Sequence, residues 1–189
     1  KTYWDEQRRR CIYGYRVGDD WITGYHYFYL NFSPIIVVVP KTNENGEVIY
    51  DSNGKVSADR FESFPDFWDG DYDYFHYLEK AENGDINYKK LFPEKTILEP
   101  KSGGQHAVVL KSRGKGYSFK GASMVNRNFA LIKGSKSYVL AGEKGFLVDN
   151  DGILGKAWDI LSHIDLNFAG SLILQPEMSK YSNYSNLSL

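Results

Sequence analysis

The chain has 189 residues and a formal net charge of −1, and its residues are 42% hydrophobic and 25% charged. This composition excludes a disordered tail or a collagen-like repeat, and the length is sufficient for a buried core. The near-neutral charge argues against a surface that binds nucleic acid by electrostatics alone. No apolar run approaches ~18 residues, so a transmembrane helix is not expected. Cys11 is the only cysteine, which excludes an intrachain disulfide and fits a reducing compartment.

The N-terminal half is rich in aromatic residues, because 21 of the 30 lie at or before Phe92. A weak apolar stripe in the first 20 residues predicts a short helix. The aromatic stretch Trp21–Ser33 alternates in character and predicts a strand, joined to the preceding residues by a hairpin through Asp19 and Asp20. The apolar run Pro34–Pro40 predicts a buried strand.

The next 60 residues are rich first in turn-forming residues and then in acidic and aromatic residues. Residues 41–59 are polar and contain two Asn-Gly pairs, which predicts an exposed loop or an additional hairpin. Asp71–Ala81 is predicted to be a helix, with one face formed by Tyr74, Phe75, Leu78 and Ala81. Asn83–Gly104 contains two prolines and several glycines and is predicted to be a connector.

The second half alternates between strand and helix patterns. His106–Leu110 and Ser137–Gly142 are predicted strands, and Tyr117–Ile132 and Gly152–Ile164 are predicted amphipathic helices. This order is typical of an α/β domain with a parallel sheet and flanking helices. We therefore divide the chain into an aromatic-rich N-terminal subdomain with short strands (1–104), an α/β core (105–180) and a loose tail (181–189).

The segment between the first predicted strand and helix of the core has the composition of a phosphate-binding loop. Such a loop directs backbone N–H groups and the positive end of a helix at an anion, a lysine contacts the phosphates, and a hydroxyl binds Mg²⁺. With Gly116 and Ser118 placed on the ends of the pattern G-x-x-x-x-G-K-[ST], Tyr117 takes the lysine position and Lys111 takes that of the first glycine. The cation has moved to the strand end of the loop, with Lys115 and Lys120 adding positive charge nearby.

This loop resembles the deviant Walker A motif of the large terminase subunit of tailed bacteriophages, in which Gly-Tyr-Ser, as in Gly116–Ser118, replaces Gly-Lys-Ser. The leader segments Tyr3–Tyr15 and Gly24–Ile35 are similar to that family as well. The resemblance spans roughly Tyr3 to Ile164. It implies a P-loop NTPase core that binds ATP and Mg²⁺ and packages double-stranded viral DNA.

The resemblance also implies residue roles. Lys111 would contact the phosphates and Arg113 would sense the γ-phosphate, so both are candidate catalytic residues. Ser118 would bind Mg²⁺, and Gly114 and Gly116 would allow the backbone to approach the nucleotide closely. The whole candidate ATP-binding set is Lys111, Ser112, Arg113, Gly114, Lys115, Gly116, Tyr117 and Ser118. Upstream, Tyr74 or Phe75 would stack on the adenine.

The implied setting is a packaging motor in the host cell cytoplasm, with no membrane association. Its partners would be the portal protein, the small terminase subunit and other copies of the chain in a ring. A Walker B strand requires four apolar residues followed by Asp-Glu. Phe146–Asp149 comes nearest, but Asn150 stands where glutamate is needed. The Walker B acid and the nuclease domain are therefore expected outside this chain, which should bind ATP weakly and hydrolyse it poorly alone.

Two other functions fit the same residues. In the first, the aromatic N-terminal half is a β-structured, non-catalytic surface for carbohydrate or protein, which requires a row of exposed aromatics between Trp21 and Phe32. In the second, the chain belongs to another P-loop ATPase that acts on nucleic acid. The four histidines show no metal-ligand spacing, and the carboxylates of Asp66, Asp69, Asp71 and Asp73 are expected to be solvated.

Overall fold

A computed structural model describes residues 2–83, 106–112, 114–149, 151–164 and 168. Six helices and four short strands occur in these ranges, which makes the chain a mixed α/β protein. In chain order they are α1 (Tyr3–Tyr13), β1 (Tyr15–Val17), β2 (Asp20–Ile22), α2 (Gly24–Phe32), β3 (Ile35–Pro40), β4 (Ala58–Ser63), α3 (Asp69–Asn83), α4 (Tyr117–Leu131), α5 (Lys144–Val148) and α6 (Ile153–Ser162).

Helix α1 is fixed at both ends by its sequence. At its start Thr2 and Asp5 form a capping box, in which each side chain accepts the backbone N–H of the other. It ends at Gly14, where φ is 94° and a Cβ would lie 2.5 Å from the Ile22 carbonyl oxygen. Glycine is therefore required at this turn, which leads directly into the β1–β2 hairpin. The hairpin confirms the prediction made for this segment.

The predicted strand over Trp21–Ser33 is wrong, because most of this segment is helix α2. Thr23 caps the helix by accepting the N–H of His26 at 3.2 Å. The five residues from Tyr25 to Tyr29 are all buried, so the helix is covered on every side. A helix that is buried on all sides has no single apolar stripe to identify it in the sequence. Its aromatic composition then favours the prediction of a strand.

Strands β3 and β4 form an antiparallel ribbon in which Val37 pairs with Phe61. The predicted strand is confirmed, but its predicted burial is wrong, since Ile36 and Val38 are each about half exposed. Residues 41–57 extend the ribbon through two turns and isolated bridges, as the two Asn-Gly pairs predicted. The second sheet, β1–β2, is also two-stranded and antiparallel.

Helices α4 and α6 pack against the N-terminal helices in one shared core. The helices predicted over Asp71–Ala81, Tyr117–Ile132 and Gly152–Ile164 are confirmed as α3, α4 and α6. Because α1 and α2 contribute Cys11, Tyr27 and Phe28 to the same core as residues of α4 and α6, the two halves of the chain stabilise each other. The buried core residues are Cys11, Ile22, Tyr27, Phe28, Ala122, Ala130, Ala157, Ile160, Ile164 and Phe168.

The two strands predicted around α4 are wrong. His106–Leu110 and Ser137–Gly142 have no regular secondary structure, and Leu110 and Leu140 are at least 90% exposed. Within the described ranges both sheets are antiparallel, so the predicted parallel sheet is not among them. Phe146 lies in the short helix α5 rather than at the end of a strand.

Two predictions fall outside the described residues. They concern most of the connector before residue 105 and the tail over 181–189. Among the helices that are described, none has the length and apolar character needed to cross a bilayer.

Candidate functional site

The candidate phosphate loop lies at the surface, directly before α4. Lys111, Ser112 and Lys115 are exposed, and Arg113 lies outside the described residues. Gly114 and Gly116 have φ angles of 84° and 68°. Left-handed residues are one component of anion-binding nests, in which successive backbone N–H groups face one ligand.

The N-terminus of α4 has the partial positive charge of a helix end, and no side chain of the cap or the first turn neutralises it. Gly116 is its N-cap and supplies no side-chain hydrogen bond, and the first turn contains no acidic residue. The N–H groups of Phe119 and Lys120 both donate to the Gly116 carbonyl, at 3.0 and 3.1 Å. The N–H groups of Tyr117 and Ser118 belong to the end of the helix that has no intrahelical acceptor. An anion placed here meets these two donors and the helix dipole.

Lysines are arranged around the Tyr117 ring. The Lys111 Nζ lies 5.9 Å from the ring centroid and the Lys120 Nζ lies 4.3 Å from it. Lys115 is exposed on the same loop. In the sequence, Tyr117 stands at the lysine position of the pattern G-x-x-x-x-G-K-[ST]. In the structure, its ring makes cation–π contacts with both Lys111 and Lys120.

Lys120 is not available to a ligand, contrary to the prediction that it adds charge around the loop. Its side chain is only 4% exposed, and its Nζ lies 2.5 Å from Asp71 Oδ1 on α3. The same Nζ donates to the Lys115 carbonyl at 3.0 Å. Lys120 therefore links the candidate phosphate loop to α3, and among the described residues of the loop the cations that face solvent are Lys111 and Lys115.

Helix α3 also brings aromatics to the loop. Tyr74 meets Tyr117 edge-on, with ring centroids 4.8 Å apart, and remains partly accessible. Burial, with the nearby Tyr117 and Asp71, raises the pKa of Tyr74 to about 12, so its hydroxyl stays protonated. Phe75 is completely buried in the protein core, so the prediction that it stacks on a base is wrong.

The predicted Mg²⁺ ligand, Ser118, is exposed in the first turn of α4. No group of three or more His, Cys, Asp or Glu side chains suited to a metal ion occurs in the described part of the chain. A single hydroxyl fits an ion such as Mg²⁺ that is held mainly by phosphate oxygens and water. It does not fit an ion held by protein ligands alone.

Other features of the N-terminal half are accounted for by the fold. The aromatics between Trp21 and Tyr29 are buried, which removes the row of exposed rings that a carbohydrate- or protein-binding surface requires. The arginine run of α1 forms ion pairs on its own helix, between Arg8 and Asp5 and from Arg9 and Arg10 to Glu6. Cys11 is a core residue, and burial raises the pKa of its thiol well above the usual range.

The ion pair between Lys120 and Asp71 was not predicted from the sequence. The residues are 49 positions apart and each lies on a helix whose surface is mostly polar, so neither pattern points to the other. A signal was present only in part: Lys120 follows Tyr117 by three residues, which places the two on one helix face.

The chain matches no protein-family model, no curated protein and no solved structure.

Proposed function

We propose that residues 111–118 bind the phosphates of ATP. The observation that carries this proposal is a glycine loop that leads, through two left-handed residues, into an uncapped helix N-terminus flanked by exposed lysines. Each part favours an anion, and together they match the requirements of a triphosphate better than those of a single charged side chain.

Each residue of the loop has a distinct role in this proposal. The N–H groups of Tyr117 and Ser118 donate to phosphate oxygens at the positive end of α4. Lys111 would approach the same oxygens from the start of the loop, because Tyr117 stands at the usual lysine position. Bound Mg²⁺ would neutralise charge on the β- and γ-phosphates, and the Ser118 hydroxyl would be its protein ligand. Arg113 would contact the γ-phosphate.

The Lys120–Asp71 pair would hold the empty loop ready for the nucleotide. Lys120 donates to the Lys115 carbonyl, and this bond would hold that part of the loop in one conformation. A loop that is ordered before the ligand arrives loses less entropy on binding, so this bond would favour nucleotide binding. Tyr74, next to Tyr117, would border the base or ribose.

We further propose that the chain supplies the ATP-binding part of a terminase-like motor that packages double-stranded viral DNA in the host cytoplasm. The portal protein, the small terminase subunit and a ring of identical copies would be its partners. Support comes from the leader and loop motifs, and from the position of the loop directly before helix α4.

The experiment is calorimetric titration of ATP with Mg²⁺ into the chain and two variants. Lys111→Ala should weaken binding at least tenfold, because a charge-assisted contact to phosphate is lost. Lys136→Ala is the matched control: this lysine is exposed beyond the other end of α4, roughly 20 Å away at 1.5 Å per residue. Equal affinity of Lys111→Ala and the parent chain would overturn the assignment of the loop.

A further inference from the structure

A second concave site lies beside the β1–β2 hairpin and α2, far from the candidate phosphate loop in sequence. The cavity has a volume of about 590 Å³ and lies between the β1–β2 hairpin, α2 and the start of α3. That volume is within the range of pockets that bind small organic molecules. Four aromatic rings and two carboxylates dominate its lining: Tyr15, Tyr27, Phe67, Tyr72, Asp20 and Asp69.

The rings of this cavity are already used to hold a cation. The Arg10 guanidinium lies 3.9 Å from the centroid of Tyr15 and 5.8 Å from that of Tyr27. Arg10 is not part of the cavity lining, and its charge is paired with Glu6. The aromatic faces of this region are thus suited to a positive charge, as expected from the ring quadrupole.

The charge of the cavity is negative and uncompensated. Its lining contains no lysine or arginine. Within the part of the chain that the structure describes, Asp20 and Asp69 form neither an ion pair nor a side-chain hydrogen bond, although Asp19 pairs with Arg16 and Asp71 with Lys120. Burial raises the pKa of Tyr72, a hydrogen bond with the Trp21 backbone opposes this shift, and the charges of Asp20 and Asp73 add to it.

We propose that this cavity binds an alkylammonium or guanidinium group. The aromatic rings would cover the apolar body of such a group and attract its charge, while Asp20 and Asp69 would accept its N–H donors. Such a cation occurs on small organic amines and on the lysine or arginine side chains of a partner protein. The proposal does not depend on the triphosphate loop, because the two sites select ligands of opposite charge.

The test is calorimetric titration of the full chain with putrescine, with 1,4-butanediol as the uncharged molecule of the same shape. A second arm uses the capped peptide acetyl-Gly-Lys-Gly-amide, which presents one ammonium group as a partner side chain would. Saturable binding of putrescine or of the peptide, with none of the diol, is expected at concentrations up to about 10 mM. Binding of putrescine alone indicates a free amine as the ligand, and preference for the peptide indicates a side chain.

Three variants test whether the cation binds in this cavity. Asp20→Asn combined with Asp69→Asn should weaken binding of the cation about fivefold to tenfold, since two charge pairs are lost. Phe67→Leu keeps an apolar side chain but removes a ring, and should weaken binding about threefold. Asp66→Asn is the matched control, because Asp66 is exposed on the same segment but lies outside the lining.

The carboxylates lie at exposed positions, so these variants should keep the parent's circular dichroism spectrum. Three results would overturn the proposal. The first is that neither putrescine nor the peptide binds saturably. The second is equal binding of putrescine and the diol, and the third is unchanged affinity in the Asp20→Asn/Asp69→Asn variant.

Discussion

The Nζ of Lys120 lies 2.5 Å from Asp71 Oδ1, and both side chains are largely buried where α4 meets α3. Lys120 lies one turn into the helix that follows the candidate phosphate loop, and it also donates to the Lys115 carbonyl of that loop. One ion pair therefore connects the acidic, aromatic helix of the N-terminal half to the glycine loop of the second half.

Removing one member of this ion pair should destabilise the chain strongly. Asp71→Ala is expected to lower the free energy of unfolding by about 3 kcal/mol, because it leaves the Lys120 ammonium buried and unpaired. Combining Asp71→Leu with Lys120→Met should recover most of that loss. Urea denaturation followed by circular dichroism measures both values. The exposed pair Lys41–Asp59 is the control, since Lys41→Ala should change stability by less than about 1 kcal/mol.

A loss of stability in Asp71→Ala no larger than that in Lys41→Ala would contradict a buried pair. The double variant has a second use, because it removes the Lys120 contact to the loop without leaving a buried charge. ATP affinity should fall in this variant even where its stability matches that of the parent chain.

The left-handed glycine before α4 should not tolerate a side chain without cost. Gly116→Ala is expected to lower the free energy of unfolding by about 1 kcal/mol, because φ of 68° is unfavourable for alanine although the nearest side-chain atom would be 3.9 Å away. Gly121→Ala is the matched control: it lies in the interior of the same helix in open space and should raise stability by about 1 kcal/mol. Thermal unfolding of both variants separates the two signs, and a Gly116→Ala variant at least as stable as the parent chain would contradict the loop conformation.

His26 should make the stability of the chain fall in mild acid. The ring is fully buried, stacks between Phe67 and Phe75, and has no hydrogen-bond partner within the described ranges. Burial, with the charges of His76 and Lys120, lowers its pKa from 6.5 to about 4. The unfolded chain therefore binds more protons between pH 6.5 and 4, and about 3 kcal/mol of stability is lost as the pH falls through this window.

The matching variant for this prediction is His26→Phe, which keeps the ring stack but cannot take up a proton. The difference in unfolding free energy between parent and variant should change by about 3 kcal/mol from pH 7 to pH 4, in favour of the variant. A difference that is independent of pH would show that His26 does not titrate as its burial requires.

Glu79 should have the opposite pH dependence. It is 4% exposed on α3, and burial raises its pKa from 4.5 to about 7; Arg127 opposes this shift and Glu82 adds to it. The folded chain binds more protons than the unfolded chain between pH 4.5 and 7, so the stability contributed by the protonated form is lost as the pH rises through this range. Glu79→Gln should therefore be more stable than the parent at pH 8 by about 1 to 3 kcal/mol, with little difference at pH 4. Urea titrations at the two pH values test this, and a parent chain at least as stable as the variant at pH 8 would contradict it.

Helices with one apolar face could be predicted from the sequence, and the elements whose form depends on distant residues could not. Helices α3, α4 and α6 carry a one-sided pattern that survives any packing arrangement. Helix α2 does not, because the rest of the chain covers all its sides. For His106–Leu110, composition favours a strand, but a strand forms only where another strand pairs with it.

The candidate site was predictable in its backbone and less so in its side chains. Gly114, Gly116 and the start of α4 follow from local turn and helix chemistry. Lys120 is buried in an ion pair with Asp71, and no local sequence pattern predicts that the two residues lie side by side. The aromatic cavity next to the β1–β2 hairpin was missed because its rings come from four separate segments of the chain.

The most direct test of the phosphate loop is the response of backbone amides to ATP. Adding ATP with Mg²⁺ to ¹⁵N-labelled chain should shift the amide signals of residues 111–118, most strongly those of Tyr117 and Ser118, whose N–H groups lack an acceptor in the helix. Lys111→Ala should reduce these shifts at the same ATP concentration. If the amides of this loop do not move while ATP binds, or move no more than those at the far end of α4, the loop is not the phosphate site.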